Sequence, residues 1–294
     1  MQKISFIGIG LMGAPMAINI LKKYKLTVFN RTSKKAQKLY KHGAKVAKSL
    51  KDAVNKADVI ITMLSDDNAV LSIINKKEFI ENIKSNSILI DMSSIKPKTA
   101  IKINYLLKKK KIKFLDAPVS GGTIGAENAS LAIMVGGNKS LFVKVKKILN
   151  LMGNATYVGP VGSGQISKLA NQIIVGVTIG AVAEAIHLCK KNGADPNKFI
   201  KAIEGGFADS KILKTHGKKM IIGNYTPGGK TSTHLKDMNN ILDSAKNVNL
   251  NLPISGLIKN MYKDLVKDGH SEKDHSSLYL KIEDMNKKAK KWSC

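Results

Sequence analysis

Cysteine is nearly absent: Cys189 and Cys294 are the only two among 294 residues. Their separation offers neither a metal-binding spacing nor a disulfide framework, which excludes a disulfide-stapled domain and fits a reducing compartment. Aromatic residues make up 5% of the chain, so a core must be built mainly from Ile, Leu, Val and Met. Arginine occurs once, at Arg31; every other basic residue apart from the six histidines is lysine. Long apolar runs are also missing. The longest, 173–183, is interrupted by Gly176, Thr178 and Gly180 and stops at Glu184, too short to cross a bilayer. The first strand-like run begins at Lys3, which leaves no room for a presequence. A cytoplasmic protein with no membrane contact is expected.

What is present is a hydrophobic content of 43%, enough for a globular chain of one large or two ordinary domains. The formal charge of +28 is the oddest bulk feature. A basic face for nucleic acid is one reading. Lysines spread along nearly the whole chain, with a single arginine, favour the other: solvated helix faces, with nucleic acid not a partner. Such a field still draws in anionic cofactors and substrates.

Short apolar runs at 4–7, 26–29, 59–64, 88–91 and 114–117 alternate with amphipathic stretches at 14–23, 34–42, 49–56 and 98–110. Strands separated by helices imply βαβ units and a parallel sheet. Two further strand-like runs, 131–135 and 156–158, flank a helical 139–151. Beyond Gly164 the pattern is helical throughout, with a long helix over 165–192 followed by 196–203, 210–222, 234–246, 254–267 and 275–290. The expected fold class is α/β, an N-terminal Rossmann-type doubly wound sheet (residues 1–162) with an all-helical C-terminal domain (163–294) for substrate binding and oligomerisation.

Gly8-Ile9-Gly10-Leu11-Met12-Gly13 is a G-x-G-x-x-G placed directly after the first strand and opening a helix, with Pro15 tolerated in its first turn. Gly8 permits the tight turn, Gly10 lets backbone approach a pyrophosphate, and Gly13 lets helix and strand pack closely. Free N–H groups at the helix start favour phosphate. The second strand ends at Asn30-Arg31-Thr32-Ser33, where an NAD-preferring site would carry an acid for the ribose hydroxyl. No acid is there, and all four side chains can donate to a 2′-phosphate. NADP(H) is therefore preferred, with NAD(H) possible.

Three more segments stand out. In Asp116-Ala117-Pro118-Val119-Ser120-Gly121-Gly122, the consecutive N–H groups of Ser120, Gly121 and Gly122 can form an anion-binding nest, or simply an ordinary loop. Gly162-Ser163-Gly164-Gln165 introduces the helix bearing Lys168, Asn171 and Gln172, one face by spacing. A lysine there can exchange a proton with a carbonyl oxygen; solvated charge is the plainer alternative in so basic a chain. His234-Leu235-Lys236-Asp237 opens a later helix. His42, His187, His216, His234, His270 and His275 show no metal spacing, and no metal is expected. Phe207, Asp209 and Ser210 fit a pocket lining or core and capping roles equally.

Taken in order, Phe6 to Ala17, Asp91-Met92-Ser93-Ser94, Asp116 to Gly122, Gly162 to Gln172 and Lys236-Asp237 resemble the β-hydroxyacid dehydrogenase family, also called the 3-hydroxyisobutyrate dehydrogenase family, over essentially the whole chain. Lys168 to Val175, Gly205-Gly206-Phe207 and Asp274-His275-Ser276 look most like the branch that reduces tartronate semialdehyde to D-glycerate. The resemblance implies Lys168 as catalytic acid/base. It implies Ser120, Gly121 and Gly122 for the substrate carboxylate, and Asn171 to orient substrate or lysine. Ser94 and Lys236 would contact the cofactor near its nicotinamide, and Asp237 would support the substrate site. Gly8, Gly10, Met12, Gly13, Asn30, Arg31, Thr32 and Leu64 complete the expected cofactor contacts. A homodimer or homotetramer is implied too.

Gln172 departs from the second Asn of many 3-hydroxyisobutyrate dehydrogenases, which argues against that substrate and leaves Gln172 with no inherited role. The alternatives are a related dehydrogenase for 3-hydroxyisobutyrate, glyoxylate or succinic semialdehyde, and a non-catalytic nucleic-acid-binding module on the same fold.

Overall fold

The computed structural model describes residues 2–288, so Cys294 and the end of the expected helix 275–290 lie outside it. The chain forms two compact units, Met1–Lys168 and Leu169–Cys294. In the first, β1 (Ile4–Ile7), β2 (Leu26–Phe29), β3 (Lys45–Val46), β4 (Val59–Thr62), β5 (Ile88–Asp91) and β6 (Lys113–Asp116) are parallel. They run in the spatial order β3-β2-β1-β4-β5-β6. The connections hold α1 (Gly13–Leu21), α2 (Ser33–Gln37), α3 (Leu50–Val54), α4 (Asp67–Ile74), α5 (Lys77–Ile80) and α6 (Pro97–Lys108).

Period-two alternation along buried strands builds a core on each face of this sheet. Val59, Ile61, Ile88, Ile90 and Leu115 pack with Met16 and Ile20 of α1 on one face. Ile60, Leu89 and Phe114 point the other way, onto Val54, Phe79, Ile103 and Leu107. The sheet is doubly wound for that reason.

The sheet is not parallel throughout. After β7 (Val119–Ser120) and α7 (Gly122–Glu127), β8 (Leu131–Gly137) runs antiparallel to both β6 and β7. The link from Ser120 to Leu131 is shorter than the crossover of roughly a dozen residues or more that a parallel return needs. Then α8 (Lys139–Leu149) leads to β9 (Gly153–Gly159), parallel to β8. The expected helix over 34–42 is α2 followed by a single 3₁₀ turn, Tyr40–His42. The two-residue β3 and the short α4, α5 and α7 carry too little periodicity to stand out beforehand.

The long helix α9 (Ser163–Lys191) begins in the first unit and continues into the second. By length and composition alone it could cross a membrane, a point that the interrupted run 173–183 did not suggest. Its Ile179, Ala183 and Ile186 are fully buried in the helical core instead. That core also takes in α10 (Pro196–Ala202), α11 (Lys218–Ile222), α12 (Thr231–Lys246), α13 (Pro253–Lys267) and α14 (Leu278–Lys288), through Ile200, Met220, Met238, Ile241, Tyr262, Leu265 and Leu278. A π-helical stretch, Leu213–Gly217, precedes α11.

Candidate functional site

The glycine loop sits at the carboxyl end of β1 and opens α1. Gly8 takes φ +105°, and a Cβ there would lie 2.2 Å from the Met63 carbonyl oxygen. A Cβ on Gly13 would lie 1.9 Å from the Gly8 carbonyl oxygen, so only glycine lets α1 approach this closely. Around Gly10 a Cβ would meet nothing within 4 Å. The loop is therefore tight where it meets the protein and open where a pyrophosphate fits. The first turn of α1 holds no acidic side chain to oppose an anion. Half-buried Met12 lies at its start, and Leu64 packs beside Gly8.

The end of β2 is tied to the same loop. Asn30 accepts the Ile9 N–H through Oδ1 at 2.9 Å and donates from Nδ2 to the Thr32 carbonyl at 3.0 Å. Its carboxamide is thus spent largely on shaping the loop. Arg31 and Thr32 are exposed, and Thr32 and Ser33 stand at the start of α2.

Across the sheet's carboxyl edge, Thr62, Asp91 and Asp116 are in register on β4, β5 and β6. Sequence reading gave the two acids no task. Asp91 is fully buried, and its Oδ1 accepts from Thr62 Oγ1 at 2.7 Å, Ser93 Oγ at 2.6 Å and the Ser93 N–H at 3.3 Å. Among the described residues, its Oδ2 finds no hydrogen bond. Burial pushes this carboxyl up to about 6 against the pull of those hydrogen bonds, and nearby Asp116 adds to the rise. Ser93 Oγ in turn accepts the Leu64 N–H at 2.9 Å, so Asp91 organises both loops that flank Leu64 and Ser94.

Asp116 anchors α9. Its Oδ1 accepts the Gly162 N–H at 2.8 Å and its Oδ2 the Gln165 N–H at 3.0 Å, which places a carboxylate at the positive helix end. Gly164 is obligatory here, since a Cβ would lie 2.5 Å from the Met134 carbonyl oxygen. Gln165 then clamps the half-buried Ser94 loop: its Oε1 accepts the Ile95 N–H at 3.1 Å and its Nε2 donates to the Ser93 carbonyl at 2.9 Å. Lys168, one turn further on, is 8% exposed. Every other described lysine is exposed or half-buried.

Ser120 closes β7, paired with Ala132. Gly121 and Gly122 follow with φ of +139° and +62°, left-handed geometry that suits glycine. Ser120 is half-buried and both glycines are exposed.

In the second unit, α9 presents half-buried Asn171 and buried Gln172. Asn171 Nδ2 donates to Gln172 Oε1 at 2.9 Å, and Gln172 Nε2 donates to Asp237 Oδ2 at 2.7 Å. Lys236 Nζ lies 3.2 Å from Asp237 Oδ1. Four residues from two elements thus form one polar chain. Phe207 is fully exposed, Asp209 pairs with Lys214 at 2.9 Å, and Ser210 Oγ accepts the Leu213 N–H at 2.9 Å. The last two are structural fastenings.

Folding also gathers His216, Asp274 and His275, whose ligand atoms lie within 4.8 Å of one another, a proximity invisible in sequence spacing. Asp274 is already saturated. Lys219 Nζ and the Gly228 N–H reach its Oδ2 at 2.8 Å each, and Ser276 Oγ reaches Oδ1 at 2.6 Å. It serves as a structural hub for these segments. A separate groove of about 350 Å³, lined by Ile173, Ile174, Val177, Leu252, Pro253 and Ile254, is almost wholly apolar and unsuited to a carboxylate.

Residues 3–161 match the family described as the NAD binding domain of 6-phosphogluconate dehydrogenase. Residues 162–282 match that described as the NAD-binding domain of NADP-dependent 3-hydroxyisobutyrate dehydrogenase. A 2-hydroxy-3-oxopropionate reductase of Escherichia coli (strain K12) is 39% identical over 96% of this chain and 97% of its own. A glyoxylate/succinic semialdehyde reductase of Arabidopsis thaliana is 31% identical over 94% of this chain and 97% of its own. Among solved structures, a Mycobacterium tuberculosis 3-hydroxyisobutyrate dehydrogenase with L-serine superposes with a TM-score of 0.87 at 28% identity, covering 96% of this chain and 99% of that one. The glycine cradle, the order of the motifs and these similarities agree: the chain belongs to the β-hydroxyacid dehydrogenase family of nicotinamide-dependent oxidoreductases.

Proposed function

We propose that this enzyme reduces tartronate semialdehyde to D-glycerate, with NADPH preferred over NADH. The observation that carries an acid/base reading is the burial of Lys168 alone among the described lysines. A solvated charge has no reason to leave water, whereas a proton donor to a bound carbonyl does. When bound, the nicotinamide supplies a hydride to the aldehyde carbon. Lys168 Nζ gives its proton to the carbonyl oxygen, which becomes the hydroxyl, and takes it back in the reverse direction. As the family resemblance implies, the first unit would hold the carboxylate by the N–H groups of Ser120, Gly121 and Gly122 and contact the cofactor through Ser94. In the second, Asn171 would orient the reacting group, Asp237 would support the substrate and Lys236 would contact the cofactor.

The NADPH preference is supported by exposed Arg31 at the end of β2 and the lack of an acid from Asn30 to Ser33. The 39% identity to the Escherichia coli reductase supports the substrate. The test is a panel of tartronate, glyoxylate, succinic and methylmalonate semialdehydes with each cofactor. The highest kcat/KM is expected with tartronate semialdehyde and NADPH. A tenfold advantage for another semialdehyde would move the assignment to that substrate, since one methylene is worth only about 1–3 kcal/mol.

A further inference from the structure

We propose that Gln172 is a positioning residue that sets the polarity of the Asn171 carboxamide, a role that rests on the reductase reading above. The Asp237 carboxylate can only accept, so Gln172 must turn its Nε2 toward it, at 2.7 Å. Gln172 then has only its Oε1 for Asn171, which must answer with Nδ2, at 2.9 Å. Asn171 is thereby obliged to direct Oδ1 away from Gln172, as an acceptor. Lys168 precedes it by three residues on the same helix and shares its face. An acceptor there suits an ammonium or a substrate hydroxyl and disfavours a reversed amide.

The far end of the chain is fixed too, because Lys236 Nζ lies 3.2 Å from Asp237 Oδ1 and orients that carboxylate. Gln172 is 8% exposed, so water does not readily replace either bond. A carboxamide donates at one atom and accepts at the other within one planar group. Met, of similar length, does neither, and Glu cannot donate to Asp237.

The test is a kinetic double-mutant cycle. Gln172→Met should lower kcat about tenfold while KM for NADPH changes less than about twofold, as expected of a lost orientation near the reacting atoms. In an Asn171→Ala background the same substitution should cost less than about twofold more. A full tenfold loss in the Asn171→Ala background would overturn the proposal.

A wild-type enzyme inactive on every semialdehyde would instead refute the functional reading. The positioning claim then stands or falls on NMR of the Asn171 side-chain amide. Faster hydrogen exchange in Gln172→Met upholds it, and an unchanged rate overturns it.

Discussion

Asp91 is a carboxyl whose burial works against its own ionisation. Its folded-state value of about 6 lies above the ordinary 3.8, so the folded chain holds this proton more firmly than the unfolded chain does. Its contribution is therefore fully present below about pH 4 and is lost as pH rises toward 6. The shift corresponds to about 3 kcal/mol, an upper bound for so buried a group. Asp91→Asn keeps an oxygen for Thr62 and Ser93 without the charge. Relative to wild type, the variant should gain stability between pH 4 and pH 7, read from urea unfolding at each pH; a constant difference would contradict this account. Arg31 stands at the opposite extreme, exposed at the end of β2. Arg31→Ala should raise KM for NADPH about tenfold, the cost of a charge-assisted pair, and leave KM for NADH nearly unchanged. Equal effects would remove the basis for the NADPH preference.

At the scale of elements, the decisive object is the start of α9. Four N-terminal N–H groups of any helix lack partners within it, and here Asp116 takes those of Gly162 and Gln165 from a strand far away in sequence. Burial raises the Asp116 carboxyl while the backbone N–H groups pull it down. Asp116→Ala would strand these donors in the interior. Stability should fall by about 3 kcal/mol in denaturant unfolding, and kcat should fall with it, because Lys168 lies one turn beyond the anchor. A loss below about 0.5 kcal/mol would mean that the helix start needs no such anchor. The glycine loop was legible beforehand because each glycine answers a local demand, and β1, β2 and β5 were legible because apolar runs are short-range patterns. Asp91, Asp116 and Gln165 were not, since their partners lie 29 to 72 residues away for the bonds to Thr62, Gly162 and Ser93. The turn from β7 to an antiparallel β8 escaped for a different reason. It depends on the length of a connection whose short helix has no periodicity of its own.

For the whole molecule, sequence patterning delivered the division into a doubly wound sheet and a helical remainder. Spacing alone left Lys168 one candidate among many lysines, and the resemblance of its motif singled it out. The fold adds a local distinction by withdrawing it from solvent. The gathering of His216, Asp274 and His275 was hidden, because it joins segments on either side of α12 and α13. Strong pairing holds Asp274 well below the usual carboxylate range: burial opposes it, while His216, His275, Lys219 and Ser276 outweigh that penalty. The central claim is that a nicotinamide-binding fold becomes a reductase through one buried amine. Its most direct test is Lys168→Ala, assayed for NADPH-dependent reduction of tartronate semialdehyde alongside NADPH binding. Turnover should fall by about a hundredfold or more, as for loss of a general acid, with the dissociation constant for NADPH unchanged. Near-normal turnover in this variant would contradict the account.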